Sequence, residues 1–404
     1  MSQLKAGHTI DLLECGAAFF PALVAAIDAS HTEVRLETYI FAFEASGESV
    51  AMALVRAATR GVAVYLVMDG IGTPHIPQVW VQRFALAGVL WHQFSPLGRL
   101  GLLIPGRWRR MHRKLCAVDG RIAFCGGINI VDDLQDPNYG ILTYPRFDFA
   151  VRVQGPLVAD VQTSMAQFWL RLQVTRGLDY LQFKKVSLVF RGLLNPPKLP
   201  GAKSDGGGSS SDQSLMAALV LRDNLRNRNR IERAYYKALG EARQEVLIAN
   251  AYFVPGAKMR RALINAARRG VRVRLLLHGS YEYFMQYHAA KPFYGALLAA
   301  GVQIYEYKPG FLHAKVAVVD GHWATVGSSN LDPLSLQLAR EANVVVDNEN
   351  FAAGLQGRLE LAIARSGAPL DPQTYAARPW QQRVRDQFAF GLMRVILFLT
   401  GRRY

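Results

Sequence analysis

Cysteine is scarce in this sequence. Cys15, Cys116 and Cys125 make an odd number with no metal-ligand spacing, which argues against a disulfide framework and for a reducing compartment. Long apolar runs are missing too. Nothing reaches the ~18–20 residues that cross a bilayer, and the nearest run, "FAFGLMRVILFLT" at 388–400, is interrupted by Arg394. The N-terminal stretch has no basic region followed by an apolar core, so it does not read as a signal peptide. Acidic residues are few: 31 Asp and Glu stand against 47 Lys and Arg, a net charge of +16. That surplus favours an anionic partner, and nucleic acid and anionic lipid both satisfy it. Only 19% of residues are charged while 50% are hydrophobic; roughly 25% charged is usual for soluble domains. The chain therefore reads as globular, with apolar surface to spare for a membrane. Its 404 residues suffice for two domains, each with its own core.

What is present is a repeat. "VRLETYIF" (34–41) resembles "VLIANAYF" (246–253), and "ALVRAATRGVAVYLVMDG" (53–70) resembles "ALINAARRGVRVRLLLHG" (262–279). "ALAGVLWHQF" (85–94) resembles "LAAGVQIYEY" (298–307), and "MHRKLCAVDGRIAFCGGIN" (111–129) resembles "LHAKVAVVDGHWATVGSSN" (312–330). The order is the same in both halves. β-branched apolar runs predict strands, and Ala/Leu/Arg runs ending at Gly61 and Gly270 predict helices. The alternation predicts an α/β fold with helices on the faces of a sheet in each half. The stretch 195–214, "NPPKLPGAKSDGGGSSSDQS", is rich in Pro, Gly and Ser and predicts a flexible linker between domains at 1–194 and 215–404.

The last repeated pair carries the chemistry. Asp119-Gly120 and Asp320-Gly321 each separate two apolar runs, a strong hairpin signal. His112 and Lys114 then lie two apart on an incoming strand, on one face, and His313 and Lys315 do likewise. The return strands end in small residues followed by Asn129 and Asn330, which can bring backbone and amide N–H groups close to a ligand. A cation, neutral donors and an imidazole in each half suit a phosphoryl group: Lys as charge, amides as oxyanion donors, His for covalent or proton chemistry. A lone H-x-K is usually an incidental surface pair. Recurrence in register makes that explanation weak here. Asp119 and Asp320 are turn residues first, with a direct chemical role open.

H-x-K, four residues, then Asp, occurring twice and followed by G-S-x-N in the second copy, resembles the signature of the phospholipase D superfamily. The second copy matches through His313, Lys315, Asp320, Ser328, Asn330 and Glu341. The first departs from it: Gly127 stands where the family often has Ser, and no acid stands at the position matching Glu341, Asp148 being the nearest candidate. "GGIN" (126–129), "RDN" (222–224), "IANAYFVPG" (248–256) and "GSSNLDPLS" (327–335) narrow the resemblance to bacterial cardiolipin synthases of the shorter branch without N-terminal transmembrane helices. The resemblance implies two phospholipase D-like repeats about a pseudo-two-fold axis, with one active site at their interface. It implies catalytic roles for His112, Lys114, Asp119, His313, Lys315 and Asp320, with His112 as nucleophile and His313 as general acid and base. Asn129, Asp148, Ser328, Asn330 and Glu341 would support them, Asp148 and Glu341 each binding the other nitrogen of a ring. It also implies phosphatidylglycerol as substrate, no cofactor, no metal, and peripheral attachment to the cytoplasmic face of the cell membrane.

Two segments could meet that membrane. Within "SPLGRLGLLIPGRWRRMHRK" (95–114) the first half carries residues the second lacks, mixing Leu100, Leu102, Leu103, Ile104 and Trp108 with Arg99, Arg107, Arg109 and Arg110. It is either a headgroup-binding element or an ordinary surface loop. The C-terminal run 388–400, flanked by Arg383, Arg385, Arg402 and Arg403, is either an interfacial helix or a terminal helix packed on the second domain. A nucleic-acid phosphodiesterase and a phospholipid hydrolase remain as rival enzymes, and a non-catalytic lipid-binding protein as a third alternative. Nucleic acid is the less favoured partner, since no base-stacking arrangement of aromatics is apparent.

Overall fold

The computed structural model describes residues 3–98, 105–136, 140–175, 215–223, 227–279, 284–332 and 339–399. The expected linker at 195–214, and Arg99, Leu100, Leu102, Leu103 and Ile104 of the insertion, lie outside these residues.

The first half runs β1 (Thr9–Glu14), α1 (Cys15–Asp28), β2 (Glu33–Thr38), α2 (Ala45–Thr59), β3 (Ala63–Asp69), α3 (Gln78–Ala87) and β4 (Leu90–Phe94). It continues through β5 (Arg110–Met111), β6 (Lys114–Val118), β7 (Ile122–Gly126), β8 (Gln135–Asp136), β9 (Gly140–Ile141), β10 (Phe149–Gln154) and α4 (Leu157–Thr175). The second half runs β11 (Met216–Arg222), α5 (Arg230–Glu241), β12 (Glu245–Asn250), α6 (Ala257–Arg268), β13 (Arg272–His278), α7 (Phe284–Ala299) and β14 (Gln303–Tyr307). Then come β15 (Lys315–Val319), β16 (Trp323–Gly327), β17 (Ala339–Asp347), α8 (Glu349–Ser366), α9 (Pro372–Ala376) and α10 (Trp380–Leu399).

The main sheets have the same order, β1-β10-β7-β6-β2-β3-β4 and β11-β17-β16-β15-β12-β13-β14. Helical crossovers make β2, β3 and β4 parallel, as they do β12, β13 and β14. The α/β repeat expected from the sequence is thus present twice. Central strands are buried on both faces, which is why they read as continuous apolar runs. In β12, Val246 and Ile248 enter the second half's outer core while Leu247 and Ala249 face the first half. One core is common to both sheets: Leu115, Ala117, Phe149 and Val151 pack with Val316, Val318, Val344 and Val346. Helix α4 also touches β11, and α8 touches β1, so each half braces the edge strand of the other.

The two Asp-Gly pairs form the expected hairpins. Asp119 and Gly120 have φ of 51° and 64°, and Asp320 and Gly321 have 51° and 68°, the twist that a two-residue turn between strands requires. All three thiols are free.

The C-terminal segment is a terminal helix packed on the second half by one face. Helix α10 buries Asp386, Ala389 and Met393, and the Phe390 ring stands 4.9 Å from that of Phe293 on α7. Asp386 Oδ1 lies 2.7 Å from His288 Nδ1, and its Oδ2 accepts from Arg378 at 3.1 Å. The opposite face leaves Trp380, Val384, Phe388, Leu392 and Val395 exposed, a stripe at three- and four-residue spacing. Deleting residues 388–404 would strip Ala389 and Met393 from the second half's packing, so truncation would destabilise that half. Among the described residues no helix is long and apolar enough to cross a membrane.

Candidate active site

Strand β6 begins at Lys114 rather than at His112, because the backbone around each histidine is committed to the other half. Strand β5 pairs in parallel with β17, and His112 N–H donates to Arg340 O at 3.0 Å. In the mirrored place Leu312 bridges Phe147, and His313 N–H donates to Phe147 O at 2.9 Å. The next residues on those partner strands are Glu341 and Asp148.

The carboxylates therefore cross over. Glu341 Oε1 and Oε2 lie 3.0 and 3.2 Å from His112 Nδ1, and Asp148 Oδ2 lies 2.6 Å from His313 Nδ1. Each imidazole is oriented by an acid from the opposite repeat. An Nδ1–H given to the carboxylate places the lone pair on Nε2. Glu341 and Asp148 are 0% and 4% exposed, whereas the His112 and His313 side chains keep 15% and 20%. The acids are sealed and the rings still reach solvent.

Lys114 and Lys315 are buried, and each ammonium donates back to the carbonyl of its own histidine, Lys114 at 2.7 Å. Lys315 Nζ also lies 3.8 Å from Asp148. Electrostatics tie the two motifs together. Burial pushes His313 well below the ordinary imidazole value, and the charges of Lys315, Lys114 and His112 push the same way. Burial also lowers His112, opposed by Glu341 and assisted by both lysines. Burial brings Lys114 down to about 7 against the pull of Glu341, with Lys315 repelling it. Burial raises Asp148 to about 6, Lys315 opposing. Two imidazoles whose charged form burial disfavours, beside two buried lysines, make a site that an anionic phosphodiester suits.

The supporting residues fall into place unevenly. Ser328 Oγ donates to Glu341 Oε2 at 2.5 Å and accepts from Ala342 N–H, so it fixes the acid that fixes His112. Asn129 Oδ1 accepts from Ile40 N–H at 3.2 Å, and Asn330 is buried at the matching place. Asp119 and Asp320 do not join the cluster. Asp119 accepts N–H groups from His31, Thr32 and Glu33, and Asp320 those of Arg243, Gln244 and Glu245. Partial burial works against Asp119, but these bonds win and hold it below the usual carboxylate range. Four strand residues, a rise of about 17 Å from lysine to aspartate, separate each from its histidine motif.

The ladder corrects the reading that the first repeat has no acid matching Glu341. Gly126 pairs with Ala150 and Gly327 with Asn343; one step on, Gly127 N–H binds Phe149 O and Ser328 N–H binds Ala342 O. Asp148 is therefore the register equivalent of Glu341, hidden by eight extra residues between β7 and β10. The missing serine follows from the shorter acid. A Cβ at Gly127 would stand 2.3 Å from Asp148 Oδ1, so an Asp here excludes the Ser that a Glu requires.

Tyr39 was missed. Its ring lies 4.9 Å from that of His112 and 5.5 Å from Lys114 Nζ. The β2 and β12 registers put Ala251 in the same place of the second half. The mismatch between "ETYIF" and "ANAYF" was its one visible signal.

Comparison with known proteins agrees with this geometry. Residues 23–143 and 235–361 match the family described as "Cardiolipin synthase, PLD-like domain". The chain is 36% identical over 397 residues to cardiolipin synthase B of Escherichia coli O6:H1, covering 98% of this chain and 90% of that one. It is 30% identical over 364 residues to cardiolipin synthase A of Pseudomonas aeruginosa, covering 89% and 68%. Its fold is similar to the crystal structure of phosphatidylserine synthase from Haemophilus influenzae Rd KW20, at TM-score 0.68 and 11% identity over 98% of this chain and 95% of that one. A phospholipase D-like repeat matched twice, with its two histidines facing one site, makes the chain a member of the cardiolipin synthase family of phosphatidyltransferases.

Proposed function

We propose that the protein transfers a phosphatidyl group between two phosphatidylglycerol molecules, giving cardiolipin and free glycerol. The observation that carries this is the crossed pair of histidine–carboxylate contacts at one cleft. The bound phosphodiester, an anion beside His313, favours the protonated form of that ring. His112 Nε2 attacks phosphorus while His313 gives its proton to the departing glycerol oxygen, leaving a phosphatidyl-histidine. His313, now neutral, takes the proton from a hydroxyl of the second phosphatidylglycerol. That oxygen displaces His112, and the starting state returns. Lys114 and Lys315 hold the phosphate oxygens. Glu341 and Asp148 keep the ring tautomers, and Asp119 and Asp320 shape the hairpins that carry the motifs.

Attachment is peripheral in this reading, on the cytoplasmic side of the cell membrane, in keeping with the free thiols and the net charge of +16. The exposed α10 stripe lies in the bilayer interface with Arg383, Arg385 and Arg394 among anionic headgroups. Arg110, by contrast, is tied to buried Asp69 at 3.1 Å and serves the fold.

The direct test is purified protein with phosphatidylglycerol vesicles in excess chelator, products resolved by mass spectrometry. Cardiolipin and glycerol in equal amounts are expected, since the lysines supply the positive charge. Phosphatidic acid alone would make it a hydrolase, and cleavage of nucleic acid with no lipid turnover would make it a nuclease.

The pH profile offers a second check. A lowered pKa means protonation at lower pH, so a neutral nucleophile survives further into acid. The acid limb of kcat/KM should lie below pH 6.5, the ordinary imidazole value. A limb well above 6.5 would contradict a buried nucleophilic His112.

A third concerns Gly127. Installing the serine usual in the family, Gly127→Ser, should harm rather than help, because it forces Asp148 off His313. Turnover should fall about 10- to 100-fold. Unchanged or improved turnover would show that Asp148 does not position that ring.

A further inference from the structure

The described residues of the first repeat's longer connection, 130–136 and 140–147, have a place and a surface. They lie between Asn129 and Asp148, both members of the site, so the segment starts and ends at the catalytic cleft. Its arms pair antiparallel, Gln135 with Ile141 and Asp136 with Gly140. Its base is built to hold still. Asp132 accepts from Ser46 Oγ at 2.6 Å, Asp133 accepts from Gly16 N–H at 2.5 Å, and Arg146 bridges Asp132 O and the Asp136 carboxylate at 2.7 and 2.5 Å. Yet the outward side chains are apolar: Leu134 is 45%, Tyr144 55% and Ile141 87% exposed. These arms sit on the rim. Phe147 N–H binds Phe311 O, and Gly310 lies so near Tyr144 that a Cβ there would stand 3.1 Å from Tyr144 Cβ, three residues before His313.

A rigid base under exposed Leu, Ile and Tyr is costly in water and needs a cover. If the substrate is a diacyl phospholipid, its acyl chains stay in the bilayer, since every CH₂ withdrawn into water adds to the cost. The phosphorus must then be met at headgroup depth, and whatever rims the cleft beside His313 must meet the bilayer. The net charge of +16 favours an anionic one. Tyrosine, with an apolar ring and a polar tip, suits that depth.

We propose that the arms bearing Leu134, Ile141 and Tyr144 are a wedge that enters the headgroup–acyl boundary of an anionic bilayer and seats the active-site mouth on it. This rests on the lipid reading above, and the experiment separates the two. An environment-sensitive fluorophore on Ile141→Cys should shift to the blue on vesicles of phosphatidylglycerol and not on phosphatidylcholine vesicles. The double variant Ile141→Glu, Tyr144→Glu should lose at least tenfold activity on phosphatidylglycerol vesicles, yet stay within twofold on the same lipid dispersed in detergent. A probe that stays water-exposed on bound protein overturns the wedge, as does equal loss on vesicles and micelles, which would mean the arms only support the cleft. A blue shift produced by a soluble protein and not by vesicles overturns it as well. A blue shift on vesicles with no turnover of phosphatidylglycerol in any form leaves the wedge standing and removes the proposed reaction.

Discussion

Replacing either His112 or His313 with alanine will lower phosphatidyl transfer by at least about a thousandfold, because each change removes a reacting or proton-carrying group. The fold should survive. Both rings sit at the surface of a cleft and keep part of their area in solvent. Circular dichroism and melting behaviour should therefore stay close to those of the parent. The two variants should differ in one respect. With labelled lipid and an acid quench, His112→Ala should show no covalent lipid adduct, whereas His313→Ala retains the nucleophile and should form one slowly. Substantial turnover in either variant would remove the two-histidine mechanism, and adduct formation in His112→Ala alone would reverse the roles.

Glu341→Gln should be nearly as damaging. Glu341 is sealed from solvent, holds His112 Nδ1, and is itself held by Ser328. The amide keeps the volume but gives up the charge, and it can present its NH₂ group to the ring, favouring the wrong tautomer. A carboxylate-to-amide change behind a catalytic imidazole costs about 10⁴ in kcat in the serine-protease triad. Here about 10²–10⁴ is expected in kcat, with KM within a few-fold because the residue touches no substrate. Ser328→Ala, which leaves the charge and removes only its anchor, should cost about tenfold. A Glu341→Gln enzyme within twofold of the parent, or one impaired only in KM, would show that the contact is structural.

Much of this site was visible as a repeated string. His112, Lys114, His313 and Lys315 could be named because the same residue types returned in register, and an α/β sheet in each half followed from the alternation of β-branched runs with helical ones. The exchange between halves was not visible. Which acid serves which histidine depends on how two sheets dock, and nothing local in "RFDFAV" or "REANVVV" encodes that. Asp148 was obscured for a simpler reason: eight inserted residues shifted its sequence distance from the motif, while the hydrogen-bonded ladder kept its spatial position. Asp119 and Asp320 misled through their constancy within the motif. Each caps three backbone N–H groups at the far end of a strand, a structural duty that looks the same as catalysis when only spacing is known.

The pairing of Gly127 with Asp148 in one repeat and Ser328 with Glu341 in the other has a consequence for inheritance. A symmetric dimer of half-length chains is written by one stretch of gene, so every substitution appears at both histidines together. Such an assembly would carry glycine and aspartate twice, or serine and glutamate twice. A single polypeptide holding both copies is free of that constraint, and a mutation can alter one imidazole's surroundings while sparing the other's. Tyr39 against Ala251 is a third instance of the same liberty. Duplication within one chain is thus what would let two chemically identical groups specialise, as the proposed division between nucleophile and proton carrier requires.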